Sequence, residues 1–195
     1  MKVRKLLVMV TALTLLFGTA AFAESVTQSI RIELNKDEIK DGGLLVDNKA
    51  YVGVGALSKA MQAIVSWDNG AKRASIYKPN VHMFTMLGDK PFGSITKGHT
   101  AKFNVFAQID SLKTDISAFK VTITDPYGEE TLIDGRNSSD KDFPTRGDFW
   151  FKTKDISYDF KAAGPYTIRF YMALSSGDTS LQVVSEKSIA SVTGS

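Results

Sequence analysis

Pro165-Tyr166-Thr167-Ile168-Arg169-Phe170-Tyr171-Met172-Ala173-Leu174 alternates between two faces. Tyr166, Ile168, Phe170, Met172 and Leu174 fall on one side, and Thr167, Arg169, Tyr171 and Ala173 on the other. Successive side chains of a strand point to opposite faces, so this is the pattern of a strand with one side in an apolar core. The same period recurs upstream. Residues 100–110 place Phe103, Val105, Ala107 and Ile109 together, and Phe119, Val121 and Ile123 repeat the pattern before the turn Asp125-Pro126-Tyr127-Gly128. Residues 148–152 and 181–189 read as further strands, the last one set off by Gly177-Asp178 and the former preceded by a polar, turn-rich segment over 134–147. About six short strands with turns between them predict an all-β sandwich over 80–195.

Nearer the N-terminus the pattern is mixed. Residues 25–34 alternate strictly, with Val26, Gln28, Ile30, Ile32 and Leu34 opposite Ser25, Thr27, Ser29, Arg31 and Glu33, which predicts one half-buried strand. After the turn Asp41-Gly42-Gly43, residues 44–46 and 50–54 flank Asp47-Asn48-Lys49 as a hairpin. Leu57, Met61 and Ile64 then fall at i, i+4 and i+7, the spacing of one short amphipathic helix. Residues 65–68 and 73–77, joined through Asn69-Gly70, predict a second hairpin, and Lys78-Pro79-Asn80 marks a boundary. The expectation is a small α+β domain over 24–79 followed by the sandwich.

The order strand, hairpin, helix, hairpin resembles the copper-amine-oxidase N-terminal-like domain, a stalk module of secreted and cell-surface proteins in Gram-positive bacteria. The residues carrying the resemblance lie within about 30–77: Asn35, the stretch Val46-Asp47-Asn48-Lys49-Ala50-Tyr51-Val52, Ala56-Leu57-Ser58-Lys59-Ala60-Met61, and Val65-Ser66-Trp67-Asp68 leading to Ala74-Ser75-Ile76. Gly53 stands where the family has proline, and Val54-Gly55 replaces its leucine-arginine pair. The resemblance implies a stalk or accessory module and no copper site. In the second domain, Ala162-Ala163-Gly164-Pro165-Tyr166 resembles the corner before a late strand of immunoglobulin-like domains, where a tyrosine hydroxyl bonds to upstream backbone. The aspartate usual four residues before that tyrosine is Ala162 here.

Residues 1–23 read as an export signal. Lys2, Arg4 and Lys5 precede an apolar run over 6–17, and Ala21-Phe22-Ala23 offers a small-x-small cleavage site. Taking these three cations from the 24 basic residues leaves them equal in number to the 21 acidic ones. A neutral chain has no global field for nucleic acid or anionic lipid. With no cysteine in the sequence, disulfides, thiolate metal sites, cysteine nucleophiles and a lipidated N-terminus are excluded. No second apolar run has the length of a transmembrane helix, and residues 190–195 carry neither a hydrophobic tail nor a sorting motif. The expected product is secreted, or held non-covalently at the bacterial surface.

Site candidates are few. His82 and His99 read as linker or loop histidines. Asp134, Asn137, Asp140 and Asp142 sit in the polar segment, which is either a solvated loop or a weak calcium site, although the spacing does not match an EF-hand. No Gly-x-Ser-x-Gly elbow occurs, and the reading is that the chain is not an enzyme. Arg146-Gly147-Asp148 is read as turn chemistry, and Asn137-Ser138-Ser139 fits a glycosylation acceptor that matters only in a eukaryotic secretory pathway, against which the bacterial resemblance argues. Trp67 is expected in the core.

Phe149-Trp150-Phe151 carries more information. If the two phenylalanines are core, Trp150 points outward, and Tyr158, Tyr171 and Phe106 extend a binding surface; otherwise Trp150 packs under the 134–147 segment or against the first domain. The functional expectation is a non-enzymatic surface protein that binds an extracellular protein or associates with itself. The alternatives are a cell-envelope polysaccharide-binding module and an accessory subunit of an envelope enzyme.

Overall fold

A computed structural model describes residues 27–40 and 42–194. The expected signal segment lies outside them. Among the described residues the fold is mostly β, with one short helix.

The N-terminal part opens with β1 (Gln28–Ile30), β2 (Glu33–Leu34) and β3 (Asp37–Glu38). The single strand expected over 25–34 is therefore divided. Asn35 and Lys36 both take left-handed backbone conformations, at φ 54° and 74°. They form a two-residue reversal that folds Glu38 back opposite Glu33, and the Ile39 N–H donates to the Ile32 carbonyl at 2.9 Å. Next come β4 (Gly43–Val46) and β5 (Lys49–Val52), a hairpin closed by Asp47-Asn48. Together they build a small sheet in the order β1-β4-β5.

Helix α1 (Val54–Ala60) is shorter than the periodicity predicts, and Met61 at its end is exposed. The stop is local. Gln62 has φ 55°, its N–H donates to the Lys59 carbonyl at 3.1 Å, and the Ala63 N–H donates to the Ser58 carbonyl at 2.8 Å. This is the paired bonding that ends a helix when the residue after its cap turns left-handed. Ile64 is thereby released from the helix to start β6 (Ile64–Asp68), which pairs with β7 (Arg73–Tyr77).

Beyond these lie β8 (Asn80–Leu87), β9 (Lys90–Pro91), β10 (Ser94–Thr96), β11 (Thr100–Asp110), β12 (Ile116–Thr124), β13 (Glu130–Asn137), β14 (Phe149–Lys152), β15 (Ile156–Asp159), β16 (Gly164–Leu174) and β17 (Gln182–Val192). They form two five-stranded sheets. One runs β10-β17-β16-β12-β13; the other runs β14-β11-β8-β9, with β15 also on β11. β10 joins β17 in parallel, whereas the remaining pairs are antiparallel. Phe103, Val105 and Ile109 from one sheet meet Phe119, Val121, Ile168, Phe170 and Met172 from the other in a single core. Burying each such side chain is worth roughly 1.5–3 kcal/mol. The alternation read over 165–174 thus corresponds to the inner face of β16. At its start the Tyr166 hydroxyl accepts from the Ala162 N–H at 3.0 Å and lies 3.3 Å from the Ala162 carbonyl.

The β6–β7 hairpin is attached to this core. Ile64 is wholly buried in it, and Tyr77 packs against its edge. The Gln182 side-chain amide accepts from the Val65 N–H at 3.0 Å and donates to the Val65 carbonyl at 3.1 Å, replacing a neighbouring strand. Trp67, expected in the core, is 54% exposed. It lies opposite Ala74 on a two-stranded ribbon, and Trp67 lies on the side of that ribbon left open to solvent.

Candidate functional site

The strand β11 carries core residues at odd positions and turns its even positions outward, so the pairings across it define an outer face. Gln108 lies between Trp150 of β14 and His82 of β8, and Phe106 lies between Lys152 and Phe84. Trp150 is 71% exposed and Phe84 is 49% exposed. The Phe106 and Trp150 rings meet edge-on with centroids 5.8 Å apart. Met86, opposite Asn104, extends the surface along β8.

Trp150 is held outward from below. Phe149 and Phe151 occupy the inner side of β14, where both rings contact Phe119, at 5.7 and 4.8 Å between centroids. Strand alternation then leaves Trp150 no inward rotamer. Among the described residues, neither the 134–147 segment nor the N-terminal part covers it.

The four aromatics proposed from sequence do not form one surface. Trp150 and Phe106 come together. Tyr158 is half-buried on the inner side, edge-on to Phe160 and Tyr166 at 5.2 and 5.9 Å, and burial raises its pKa. Tyr171 lies on the outer face of the opposite sheet. Lys120 Nζ sits 4.5 Å from its ring centroid and its hydroxyl donates to Glu130 at 2.6 Å. Burial, followed by that bond, raises the Tyr171 pKa. Tyr171 lines a groove of about 850 Å³ with Lys40, Lys59, Gln62, Arg169 and Glu186, between the N-terminal part and the sandwich.

Phe84, Met86 and His82 are the members that sequence reading missed. His82, expected in a linker or loop, belongs to β8, while His99 does follow a turn. The residues Val81-His82-Met83-Phe84-Thr85-Met86 carry apolar side chains on both faces. Alternation, the usual signal of a strand, is therefore absent from a strand whose outer side is itself aromatic.

The oxygen-rich segment is organised around a cation already in the chain. Asp134 and Asn137 lie in β13 rather than in a loop, and Asp134 is only 7% exposed. Its carboxylate accepts from the Lys154 N–H at 2.8 Å, the Gly135 N–H at 2.9 Å and Arg136 Nη1 at 2.8 Å. Arg136 Nε donates to Asp142 at 2.8 Å, and its guanidinium lies 5.1 Å from the Phe151 ring centroid. Asp140 accepts from the Asn137 N–H, and the Asn137 side chain accepts from the Ser139 N–H. The four proposed ligands therefore do not converge, and among the described residues no group of three or more His, Asp and Glu is arranged to hold a metal. Burial pushes the Asp134 pKa up, but the two backbone donors and Arg136 outweigh it and hold the carboxyl below the ordinary range. The result is a latch from β13 to the β14–β15 connection, across the open side of the sandwich.

The sandwich edges are blunted. β9 has two residues, one of them Pro91. β14 is four residues long, is interrupted before β15 and carries Lys152. β13 has an extra residue between its pairings Val121↔Asp134 and Thr122↔Leu132. Short strands, proline, lysine, bulges and inward charges all hinder pairing with another strand. Contact through the sandwich is thus favoured on its face.

Among the described residues no helix is long and apolar enough to cross a membrane. No family model and no curated protein matches the chain.

Proposed function

We propose that this is a non-enzymatic protein of the bacterial surface that binds an extracellular protein through the outer face of β14, β11 and β8. The observation that carries this reading is Trp150, 71% exposed beside Phe106 and held outward by core phenylalanines on both sides. A tryptophan at the β14 side of a patch that continues through Phe106 to Phe84, with charged and amide groups around it, has the composition of an interface hot spot. His82 and His99 stand on separate elements, one facing outward from β8 and one beyond β10, which favours binding over acid–base chemistry.

The architecture supports an immunoglobulin-like assignment for the sandwich. Its strand order, the parallel β10–β17 pair and the Tyr166 to Ala162 bonds suit that class. The N-terminal part, with its hairpins on either side of α1, serves in this reading as the copper-amine-oxidase N-terminal-like stalk, without copper. Export through residues 1–23 places the protein outside the cell.

A second reading is favoured by Gln108, His82 and Lys152. These hydrogen-bonding side chains interleave with the rings, as a polysaccharide ligand requires. Parallel retention assays on envelope proteins and on cell-wall polysaccharide test the two. Loss of protein capture in Trp150→Ala supports the first reading, and loss of polysaccharide retention supports the second. Unchanged retention on both overturns the assignment of this face.

A further inference from the structure

We infer that a second copy of this chain docks along β5 and continues the β1-β4-β5 sheet across a two-fold axis. This edge is separate from the aromatic face, and its pairing does not depend on what that face binds.

The hairpin fixes which groups β5 offers. Asp47 and Asn48 form its two-residue loop, with φ 49° and 58°, and Val46 stands opposite Lys49. In such a reversal the N–H of the fourth residue turns back toward the carbonyl of the first, so Lys49 directs its backbone at β4. Alternate residues of an antiparallel strand do the same. Gly53 keeps the alternation, since its N–H donates back to the Gly42 carbonyl at 3.4 Å. Ala50 and Val52 therefore aim N–H and C=O away from β4. All four residues of β5 are exposed there, and no described strand lies beyond it.

β5 also lacks the protection seen on the sandwich edges. It contains no proline and no bulge, and Lys49 at one end is its single charge. Antiparallel pairing with its own copy satisfies the outward groups in one register. Ala50 of each copy faces Val52 of the other as a hydrogen-bonded pair. Tyr51 then faces Tyr51 at the close, non-bonded position between them, where Cβ atoms approach to about 4.5–5.5 Å. Moving two residues one way puts Val52 opposite the turn residue Asn48, moving two the other way puts Ala50 opposite Val54 at the start of α1, and moving one residue places opposite faces side by side. In the matching register, Leu44, which sits across from Tyr51 within the hairpin and is exposed, joins a row running Leu44-Tyr51-Tyr51-Leu44 through the axis. This self-complementarity is what selects a second copy over an unrelated strand.

Sedimentation of the purified protein over a wide concentration series is expected to give a monomer–dimer equilibrium. Ala50→Pro removes an outward donor and leaves the β4–β5 ladder intact, so it is expected to weaken association by about tenfold or more with circular dichroism unchanged. The cysteine-free sequence permits a second readout. Mild oxidation of Tyr51→Cys is expected to give a disulfide-linked dimer, and Lys49→Cys, which faces Gly53 of the copy, is expected to give none. A chain that stays monomeric throughout, or a dimer that Ala50→Pro leaves equally tight, overturns the inference. A dimer dissolved by Trp150→Ala instead would overturn it while keeping the aromatic face as a contact surface.

Discussion

Residues 27–63 and residues 80–192 are both built mainly from strands, of two to four residues in the first and up to 11 in the second, and they bury side chains to different degrees. The sandwich encloses Phe103, Phe119, Tyr166, Ile168, Phe170 and Met172 among many others, whereas the described residues before Ile64 bury only Ile39 and Ala63 among their apolar side chains. Leu44, Tyr51, Val52 and Met61 stay exposed. A small unit without disulfides gains little from its own burial, so it depends on what it is attached to. Here the attachment is Ile64 in the sandwich core and the Gln182 amide on Val65. The contrast separates two tasks: the sandwich holds the stability, and the exposed side chains of both parts are free to make contacts.

The sharpest way to break this contrast is to truncate one residue from each side of it. Phe170→Ala is expected to cost about 3–5 kcal/mol in denaturant titration. Tyr51→Ala, at an exposed position, is expected to stay within about 0.5 kcal/mol under conditions where the chain is monomeric. Comparable losses would show that the N-terminal part has a core of its own.

Next in size is the latch. Asp134→Ala leaves Arg136 with Asp142 as its remaining carboxylate and the Lys154 and Gly135 N–H groups without their acceptor, and is expected to cost about 2–3 kcal/mol. The folded Asp134 pKa lies below its ordinary value, so its contribution is complete above about pH 4 and is lost as pH falls through the folded-state value. Melting temperature should drop on acidification through that window, and Asp134→Asn should flatten the drop. An unaltered acid profile would remove the latch from the account.

Gln182→Ala should have a smaller effect, about 1–2 kcal/mol, because two backbone groups of Val65 lose their partner. Hydrogen exchange is the better readout, with faster exchange expected in β6 and β7 and not in β11 or β16. Uniform acceleration would contradict a local attachment.

How much of this could be read from the sequence follows the same contrast. The inner faces of β16 and β11 are legible because every second residue is apolar, from Tyr166 to Leu174 and from Ala101 to Ile109. β8 was hidden, because Met83 serves the core while Phe84 and Met86 serve the outer surface, and two apolar faces cancel the period. β13 is hidden for the opposite reason: Asp134 and Asn137 read as loop chemistry, and the inward Asp134 is accommodated in a strand by the Lys154 and Gly135 N–H groups together with Arg136. Trp67 departs from the core expectation because a large aromatic residue in a motif suggests a core, whereas a two-stranded ribbon has an uncovered side. For Trp150 the sequence leaves two alternatives, outward or packed under the 134–147 segment or the first domain, and its 71% exposure decides between them; the neighbours brought by β8 depend on pairing across the sheet, which no local pattern encodes.

The most direct test of the central claim pairs binding with stability at one position. Trp150→Ala is expected to hold its unfolding free energy within about 0.5 kcal/mol of the parent, since the ring lies outside the core, and to lose capture of its surface partner. A variant that still binds at full strength, or one that loses binding only because it unfolds, would contradict the assignment of the β14-β11-β8 face.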